Sequence, residues 1–305
     1  MRKIIIDTDA GIDDAIAIMI ALTYEDEVEI KGITTLTGNT YVDQVTKNVL
    51  RLLDYFNRED IKVYKGASKP LVHFLERGAK VHGSDGLGDI DLKYSSRKEE
   101  DLPAPVAIYK IAKEEGKIDL ITLGPLTNVS IALNLYPDLK NHINSIYSMG
   151  GAIERGNVTK FAEFNFHADP EAVQSVIESK VPFKIIPWDP AVKNLFLESE
   201  LKEVVNEESF AGKLFHSFIK TPISYIERHI GIRGMSLPDP IAIAYYFDEN
   251  IAKEKRRGNL VMELNYTTLR GASILLEGEE IEIVMDIKKE NFLNILKRIN
   301  SLKRR

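Results

Sequence analysis

Four aspartates lie within the first fourteen residues of this 305-residue chain. An apolar run of strand character stops at the first of them, and a helical pattern begins after Gly11. The four carboxylates therefore gather at the end of a strand, where open α/β sheets place their ligands: Asp7, Asp9, Asp13 and Asp14. Like charges this close repel one another unless a cation lies among them, and oxygen ligands favour Ca²⁺ or Mg²⁺ over zinc. The segment predicts a catalytic metal site.

Polar residues also follow the other apolar runs. Asn39 follows the second run, residues 124–128 follow a later one, and residues 149–151 the next. In a parallel sheet these strand ends converge on one edge. Asp239, between two prolines, begins a helix in an otherwise apolar stretch. A further cluster has two amides and a carboxylate, which suit a polyhydroxylated ligand such as a sugar: Asn157, Glu163 and Asn165.

Strand and helix patterns alternate along the chain. Strands are predicted at residues 3–7, 29–36, 61–64, 118–123, 143–149, 183–187, 260–264 and 281–287. Helices are predicted at residues 13–24, 42–56, 104–115 and 127–135, from residue 169 onward, through most of 198–246, and at 290–299. Residues 73–98 are polar and glycine-rich and predict a long loop. The alternation predicts a single α/β domain over residues 1–305, with an open, mostly parallel (mixed) sheet and helices on both faces.

Composition argues against several classes of protein. The chain has no cysteine, which removes disulfides, thiolate nucleophiles and cysteine-bound zinc. Its net charge of −6, with acidic and basic residues interspersed, argues against nucleic acid as a partner. No apolar stretch is long enough to span a bilayer, and Asp7 makes the amino-terminal apolar run too short for a signal peptide. These features predict a cytoplasmic protein with no membrane or nucleic-acid partner.

The ordered set of motifs resembles the inosine–uridine-preferring family of nucleoside hydrolases. The Asp-rich opening, residues 7–15, matches the family signature except that Ala10 replaces the usual proline. Further matches follow in order and spacing, over residues 3 to about 245: Gly38-Asn39, His82-Gly83, residues 123–128, Met149-Gly150-Gly151, Asn157, Glu163, Asn165 and residues 169–172. The resemblance implies an enzyme of the nucleoside-hydrolase fold that splits ribonucleosides into ribose and free base.

The resemblance also implies a division of roles among these residues. One Ca²⁺ would be held by Asp9, Asp14, the backbone carbonyl of Leu123 and Asp239. Asp9 would be the general base that takes a proton from the attacking water. Met149 would pack on the sugar face, and the ribose hydroxyls would be bound by Asp13, Asn39, Asn157, Glu163, Asn165 and Asp239. Family members are often dimers or tetramers, which implies a homodimer or homotetramer with a role in purine or pyrimidine salvage.

One position departs from the family pattern. Many members carry a histidine immediately before the last metal aspartate, where it protonates the leaving base, but this chain has Pro238. His82 is the first candidate for the missing acid, since family members use the matching residue near the base. Tyr225 and His229, in a helix expected to border the base pocket, are weaker candidates. The preference for purine or pyrimidine bases stays open.

Two other functions fit parts of the sequence. A haloacid-dehalogenase-type phosphohydrolase would use Asp7 and Asp9 as nucleophile and acid, although Gly11 stands where that motif carries threonine or valine. A non-catalytic nucleoside- or ribose-binding homologue would keep the metal and ribose site without the leaving-group acid, and Pro238 is its only support.

Structural roles compete with the chemical ones for several residues. Asp7 could cap the first helix or fix the loop. Glu163 and Asn165 could alternate on a solvated face of a strand. His82 could be an ordinary loop histidine.

Overall fold

The computed structural model describes residues 1–73 and 81–305. Within them, helices flank an eight-stranded sheet, and two short strands form a second sheet. The strands are β1 (Arg2–Thr8), β2 (Val28–Thr35), β3 (Val63–Lys65), β4 (Ile118–Thr122), β5 (Ile143–Met149), β6 (Phe183–Ile186), β7 (Phe196–Leu197), β8 (Gly234–Met235), β9 (Ala252–Met262) and β10 (Ser273–Ile287). The helices are α1 (Ile12–Leu22), α2 (Val42–Tyr55), α3 (Ala104–Glu115), α4 (Thr127–Leu135), α5 (Phe164–Ala168), α6 (Pro170–Glu178), α7 (Trp188–Lys193), α8 (Glu198–Val204), α9 (Phe210–Ile230), α10 (Pro238–Phe247) and α11 (Lys289–Leu296).

The large sheet has the strand order β3-β2-β1-β4-β5-β6-β10-β9. Its neighbouring strands are parallel, except that β9 and β10 are antiparallel. The chain builds outward from β1 in both directions, so the strand order reverses beside β1. Such a reversal opens a crevice at the carboxyl ends of the strands, and this is where open α/β sheets bind ligands. Asp7 pairs with Thr34 of β2 and Thr122 of β4, which places the end of β1 at this crevice.

Strand β1 is buried on both faces because helices cover both sides of the sheet. Ile4 and Ile6 pack with apolar residues of α1, α2, α9 and α10. Ile5 packs with residues of α3, α4 and α6 on the opposite face. A parallel strand covered on both faces reads as a continuous apolar run, and in this strand the run ends at Asp7.

The predicted fold class is confirmed, whereas the prediction for the last two strands is wrong in extent. Strands β9 and β10 are longer than the predicted segments 260–264 and 281–287, because they form an extended antiparallel hairpin. Most of the additional residues are exposed, and many are charged. A strand that is solvated in this way has no apolar pattern by which the sequence could reveal it.

Two regions agree with the sequence in outline. Residues 198–246 are mostly helical, with breaks near Gly231 and Pro238 as predicted and a further break between α8 and α9. The predicted loop 73–98 contains no helix or strand at residues 81–98, while its residues 74–80 lie outside the described part of the chain. In the part that is described, no helix combines the length and the hydropathy needed to cross a bilayer.

Candidate functional site

The turn between β1 and α1 is held by side chains of its own residues. The Asp14 carboxylate accepts hydrogen bonds from the Thr8 hydroxyl at 2.5 Å and from the Gly11 N–H at 2.8 Å. The Thr8 Oγ1 atom in turn accepts the Ala10 N–H at 3.0 Å. These bonds satisfy the exposed N–H groups at the start of α1 and direct the Asp14 carboxylate into the crevice.

Two segments that are distant in the chain meet at this turn. Helix α1 packs against α10, and Asp239 lies in the first turn of α10. Carboxylate oxygens of Asp13, Asp14 and Asp239 lie within 4.8 Å of one another. Asp9 is buried beside them, and its repulsion with Asp14 contributes to its own pKa. We call Asp9, Asp13, Asp14 and Asp239 the Asp cluster.

Burial of the Asp cluster makes its negative charge costly. Burial is the largest cause that raises each pKa, and repulsion from neighbouring aspartates adds to it for Asp9, Asp14 and Asp239. The pKa values of Asp13 and Asp14 rise to about 6, and those of Asp9 and Asp239 rise well above the ordinary value. Within the described residues, Asp9 Oδ1 and Asp13 Oδ1 are buried without a hydrogen-bond partner. Buried oxygens of this kind, crowded with like charges, fit a divalent cation.

The loop after β2 brings Asn39 to the Asp cluster. Its N–H donates to Asp9 Oδ2 at 2.7 Å, and its side-chain Nδ2 donates to Asp14 Oδ2 at 3.3 Å. Gly38 makes this contact possible, because a Cβ at that position would lie 1.9 Å from Asp9 Oδ2. The predicted approach of Asn39 to the strand-end acids is therefore present in the structure.

A short helix carries the polar cluster predicted to suit a sugar. Glu163 caps the start of α5, where its carboxylate accepts the N–H groups of Asn165, Phe166 and Gly151 at 2.8, 3.1 and 2.8 Å. Burial raises the pKa of Glu163 to about 7 despite these three bonds. Asn157 Oδ1 accepts the Phe164 N–H at 2.9 Å and so lies at the same helix start.

Asn165 connects this short helix to the ends of β4 and β5. Its Nδ2 donates to the carbonyl of Leu123 at 2.9 Å and approaches Met149 O and Sδ, both at 3.2 Å. Met149 is buried. The alternative that Glu163 and Asn165 lie on a solvated strand face is wrong. They belong to a helix start and its first turn, and both are buried.

His82 lies against the opposite side of the Asp cluster. Its Nδ1 accepts the Ile12 N–H at 3.1 Å and lies 3.6 Å from Asp13 Oδ1. Burial lowers the pKa of the ring, although the charge of Asp14 acts in the opposite direction. The alternative that His82 is an ordinary loop histidine does not account for these contacts. The two weaker candidates contact each other on α9, where the Tyr225 and His229 rings stack at 4.0 Å and His229 is exposed.

Three further residues support the site: Asn128, which lies in the polar strand-end segment 124–128 noted from the sequence, and Thr34 and Asp189, which sequence reasoning missed. Asn128 donates to Asp7 Oδ1 at 2.8 Å, and Thr34 donates to the same oxygen at 2.5 Å. Asp7 is therefore held inside the sheet and does not cap α1. Asp189, in the first turn of α7, accepts the N–H groups of Ile153 and Glu154 at 2.9 and 2.8 Å and holds the segment that leads to Asn157. Asp189 follows β6, so the same strand-end rule that found Asn39 could have found it.

The open α/β sheet carries buried acids at its strand reversal, beside amides and a further carboxylate, and this arrangement fits a metal-dependent hydrolase. Residues 4–294 match the sequence profile of the family described as "Inosine-uridine preferring nucleoside hydrolase". The chain is 35% identical over 243 residues to the non-specific ribonucleoside hydrolase RihC of Escherichia fergusonii, covering 79% of this chain and 78% of that protein.

Solved structures agree with the sequence match. The purine-preferring ribonucleoside hydrolase from Gardnerella vaginalis is 31% identical, with a TM-score of 0.91 over 99% of both chains. A plant nucleoside hydrolase is 28% identical, with a TM-score of 0.92 over 98% of this chain and 99% of that chain. This chain belongs to the inosine–uridine preferring nucleoside hydrolase family. The predicted family and the predicted class of enzyme are confirmed. The phosphohydrolase alternative has no support from the family match, and its proposed nucleophile Asp7 is held by hydrogen bonds from Thr34 and Asn128.

Proposed function

We propose that this protein hydrolyses the N-glycosidic bond of ribonucleosides with a Ca²⁺ at the Asp cluster and Asp9 as the general base. The observation that carries the proposal is the meeting of acids from the β1–α1 turn and from α10, which are distant in the chain; two oxygens of the Asp cluster have no hydrogen-bond partner among the described residues. Family membership supports the reaction class.

The donor set supports a hard divalent cation. Asp9, Asp14, Asp239 and the carbonyl of Leu123 would hold it, and all four supply oxygen. The Leu123 carbonyl already accepts one hydrogen bond from Asn165, which leaves its second lone pair for a cation. When bound, such an ion makes a water molecule easier to deprotonate near neutral pH.

Asp9 is better placed than Asp14 to act as the base. Both oxygens of Asp14 accept hydrogen bonds within the turn, whereas Asp9 is held through Oδ2 alone. Its Oδ1 is left to accept a proton from the water that attacks C1′ of the ribose.

The remaining polar residues would bind the ribose and stabilise its transition state. Positive charge develops on the sugar ring as the glycosidic bond breaks, and preorganised carboxylates and amides favour that state over the ground state. Met149, which is buried beside Asn165, would pack on the sugar face. The hydroxyl-binding residues would be Asp13, Asn39, Asn157, Glu163, Asn165 and Asp239.

His82 would donate a proton to the leaving base. Because Nδ1 accepts the Ile12 N–H, the neutral ring carries its proton on Nε2 and can form a hydrogen bond to the departing base. Transfer of the proton itself takes the imidazolium form, in which the bond from the Ile12 N–H to Nδ1 is lost. Pro238 has no group that transfers a proton. A homodimer or homotetramer, a cytoplasmic location and a role in base salvage stay predictions from the resemblance and the composition.

A product assay tests the proposal. We expect reducing sugar to be released from one or more of inosine, uridine, cytidine and adenosine, to stop in EDTA and to return with added Ca²⁺. Recovery of activity with Mg²⁺ but not with Ca²⁺ would contradict the proposal that the ion is Ca²⁺. No turnover of any nucleoside, together with ribose binding by calorimetry, would favour a non-catalytic binding protein.

A further inference from the structure

His82 belongs to a loop, residues 82–92, that contains no helix or strand and yet is tightly bonded within itself. The Gly88 N–H donates to the His82 carbonyl at 2.7 Å and closes the loop. The Asp85 Oδ1 atom accepts the N–H groups of Leu87 and Asp89 at 2.8 and 3.0 Å. Asp89 Oδ1 reciprocates by accepting the N–H groups of Ser84 and Asp85 at 2.9 and 3.0 Å. Two carboxylates thus satisfy the backbone of the loop that carries the histidine.

A buried arginine on α2 holds this loop from outside. Arg51 is only 3% exposed, and its Nη1 donates to Asp85 Oδ2 at 3.0 Å. Its Nε and Nη2 donate to the Leu92 carbonyl at 2.9 and 2.6 Å, at the far end of the loop. Asn48, one helical turn earlier, donates to the Asp85 carbonyl at 2.8 Å. A charge-assisted pair that is removed from water holds its geometry more firmly than a surface pair does.

Two further contacts leave the loop little freedom. Leu87 is buried in the apolar core, and Thr221 of α9 donates to the Gly88 carbonyl at 3.2 Å. On the side of the active site, the position of the His82 ring is set by the Ile12 N–H. The loop is thus attached to α2, to α9 and to the start of α1, which adjoins the Asp cluster.

We infer that Arg51 and Asp85 form a positioning pair, which sets the place of the His82 ring against the leaving base without touching substrate. The inference rests on the proposed function, because it takes the His82 role from there. Displacement of a reacting group by about 1 Å can cost on the order of 100-fold in rate, so loosening this pair should be visible in turnover.

The test compares Asp85→Asn with the parent enzyme on two substrates, inosine and p-nitrophenyl β-D-ribofuranoside. The asparagine keeps an oxygen for the loop N–H groups but removes the charge that Arg51 binds. The nitrophenolate leaves without protonation, so it does not need His82. We expect kcat for inosine to fall by roughly 10- to 100-fold and kcat for the nitrophenyl riboside by less than about 3-fold.

A matched control uses a second pair in which a buried arginine binds a carboxylate. Arg270 binds Glu171 at 2.7 Å, and their side chains are 8% and 20% exposed. The side chains of Arg51 and Asp85 are similarly buried, at 3% and 18% exposed. Glu171→Gln should change both substrates by the same small factor. Arg51→Lys, which keeps the charge but not the forked geometry, should show the same preference for the activated substrate as Asp85→Asn.

Measurements in the His82→Ala variant distinguish the Arg51–Asp85 positioning pair from the proposed role of His82. If the pair acts through His82, adding Asp85→Asn to His82→Ala should cause no further loss on inosine. Equal slowing of both substrates by Asp85→Asn, or full additivity with His82→Ala, would overturn the positioning pair while leaving the His82 role intact. Equal slowing of both substrates by His82→Ala itself would instead overturn the proposed acid, and the inference with it.

Discussion

Replacing Asp239 by asparagine should stabilise the metal-free protein. Carboxylate oxygens of Asp239, Asp13 and Asp14 lie within 4.8 Å of one another. At an effective dielectric constant of about 20, each ionised pair at that distance repels by about 3.5 kcal/mol. The substitution removes two such pairs, but the folded protein already relieves part of this repulsion by holding protons. The loss of a negative charge from the first turn of α10 costs only about 0.5 kcal/mol.

If bound protons relieve about half of the roughly 7 kcal/mol of repulsion, the net expectation is a gain of about 3 kcal/mol in the free energy of unfolding at pH 8 in EDTA. For a domain of this size, about 2 °C in Tm corresponds to each kcal/mol, so Tm should rise by about 6 °C. Calorimetry or dye-based thermal melts of Asp239→Asn and the parent protein would measure the difference. Added Ca²⁺ should raise the Tm of the parent by several degrees and leave that of the variant almost unchanged.

A second variant tests whether the expected rise in Tm comes from relief of repulsion within the Asp cluster. Asp189 is also buried in the first turn of a helix, but its carboxylate accepts two backbone N–H groups. Asp189→Asn should therefore lower Tm by weakening those bonds, whether or not Ca²⁺ is present. If Asp239→Asn lowers Tm in EDTA as Asp189→Asn does, the acids at the strand reversal are not in electrostatic conflict and the reasoning is refuted.

Three further predictions follow from the same site. Burial raises the pKa of the Asp13 and Asp14 carboxyl groups from 3.8 to about 6 in the folded state, so the folded protein binds more protons than the unfolded chain. In EDTA, Tm should therefore fall as the pH rises from about 4 to about 7. A Tm that does not change over this pH range would contradict the expectation. Asp9→Asn should keep the native circular dichroism and lose on the order of 100- to 10,000-fold in kcat, whereas a near-normal rate in the reducing-sugar assay would remove its role as base. In Gly11→Ala, the new Cβ would lie 2.6 Å from Asn39 Nδ2 and 2.8 Å from His82 Nδ1, although the Gly11 φ of −78° suits alanine. We expect kcat/KM of Gly11→Ala to fall by about 10-fold or more. The free energy of unfolding, measured by urea denaturation, should fall by about 1–3 kcal/mol. Unchanged kinetics would mean that neither side chain matters to the reaction.

Sequence reasoning located elements best where burial imposes a pattern. Strand β1 and helix α2 lie close to their predicted positions, because a strand covered on both faces is continuously apolar and a helix covered on one face is periodic. The hairpin of β9 and β10 was underestimated, because its outer part is solvated and lacks such a pattern. The five-residue helix α5 was missed for another reason: its start is stabilised by the Glu163 cap, and it is too short to show a period.

Some residues of the candidate site could be chosen from the sequence and others could not. Residues that follow buried strands, such as Asn39 and Asp9, could be chosen from the sequence because the ends of parallel strands converge on one edge. Asp189 follows β6 and obeys the same rule, although the sequence interpretation passed over it. Arg51 could not be chosen in this way, because it acts through hydrogen bonds to a backbone segment distant in the chain. A side chain that supports another segment leaves no local signal in its own neighbourhood.

The sequence by itself determined the type of sheet, the acidic turn after β1 and the family of the chain, because each depends on residues that are adjacent or evenly spaced. The family resemblance had already grouped Asp239 with the acids of the first turn, and the tertiary structure shows how close their oxygens lie. Only the tertiary structure decided that Asp7 is held within the sheet and that an arginine on α2 holds the loop of His82. These outcomes depend on the packing of α10 against α1 and on the strand order around β1. Burial by distant segments, which local sequence does not encode, is also what raises the pKa values of the clustered acids.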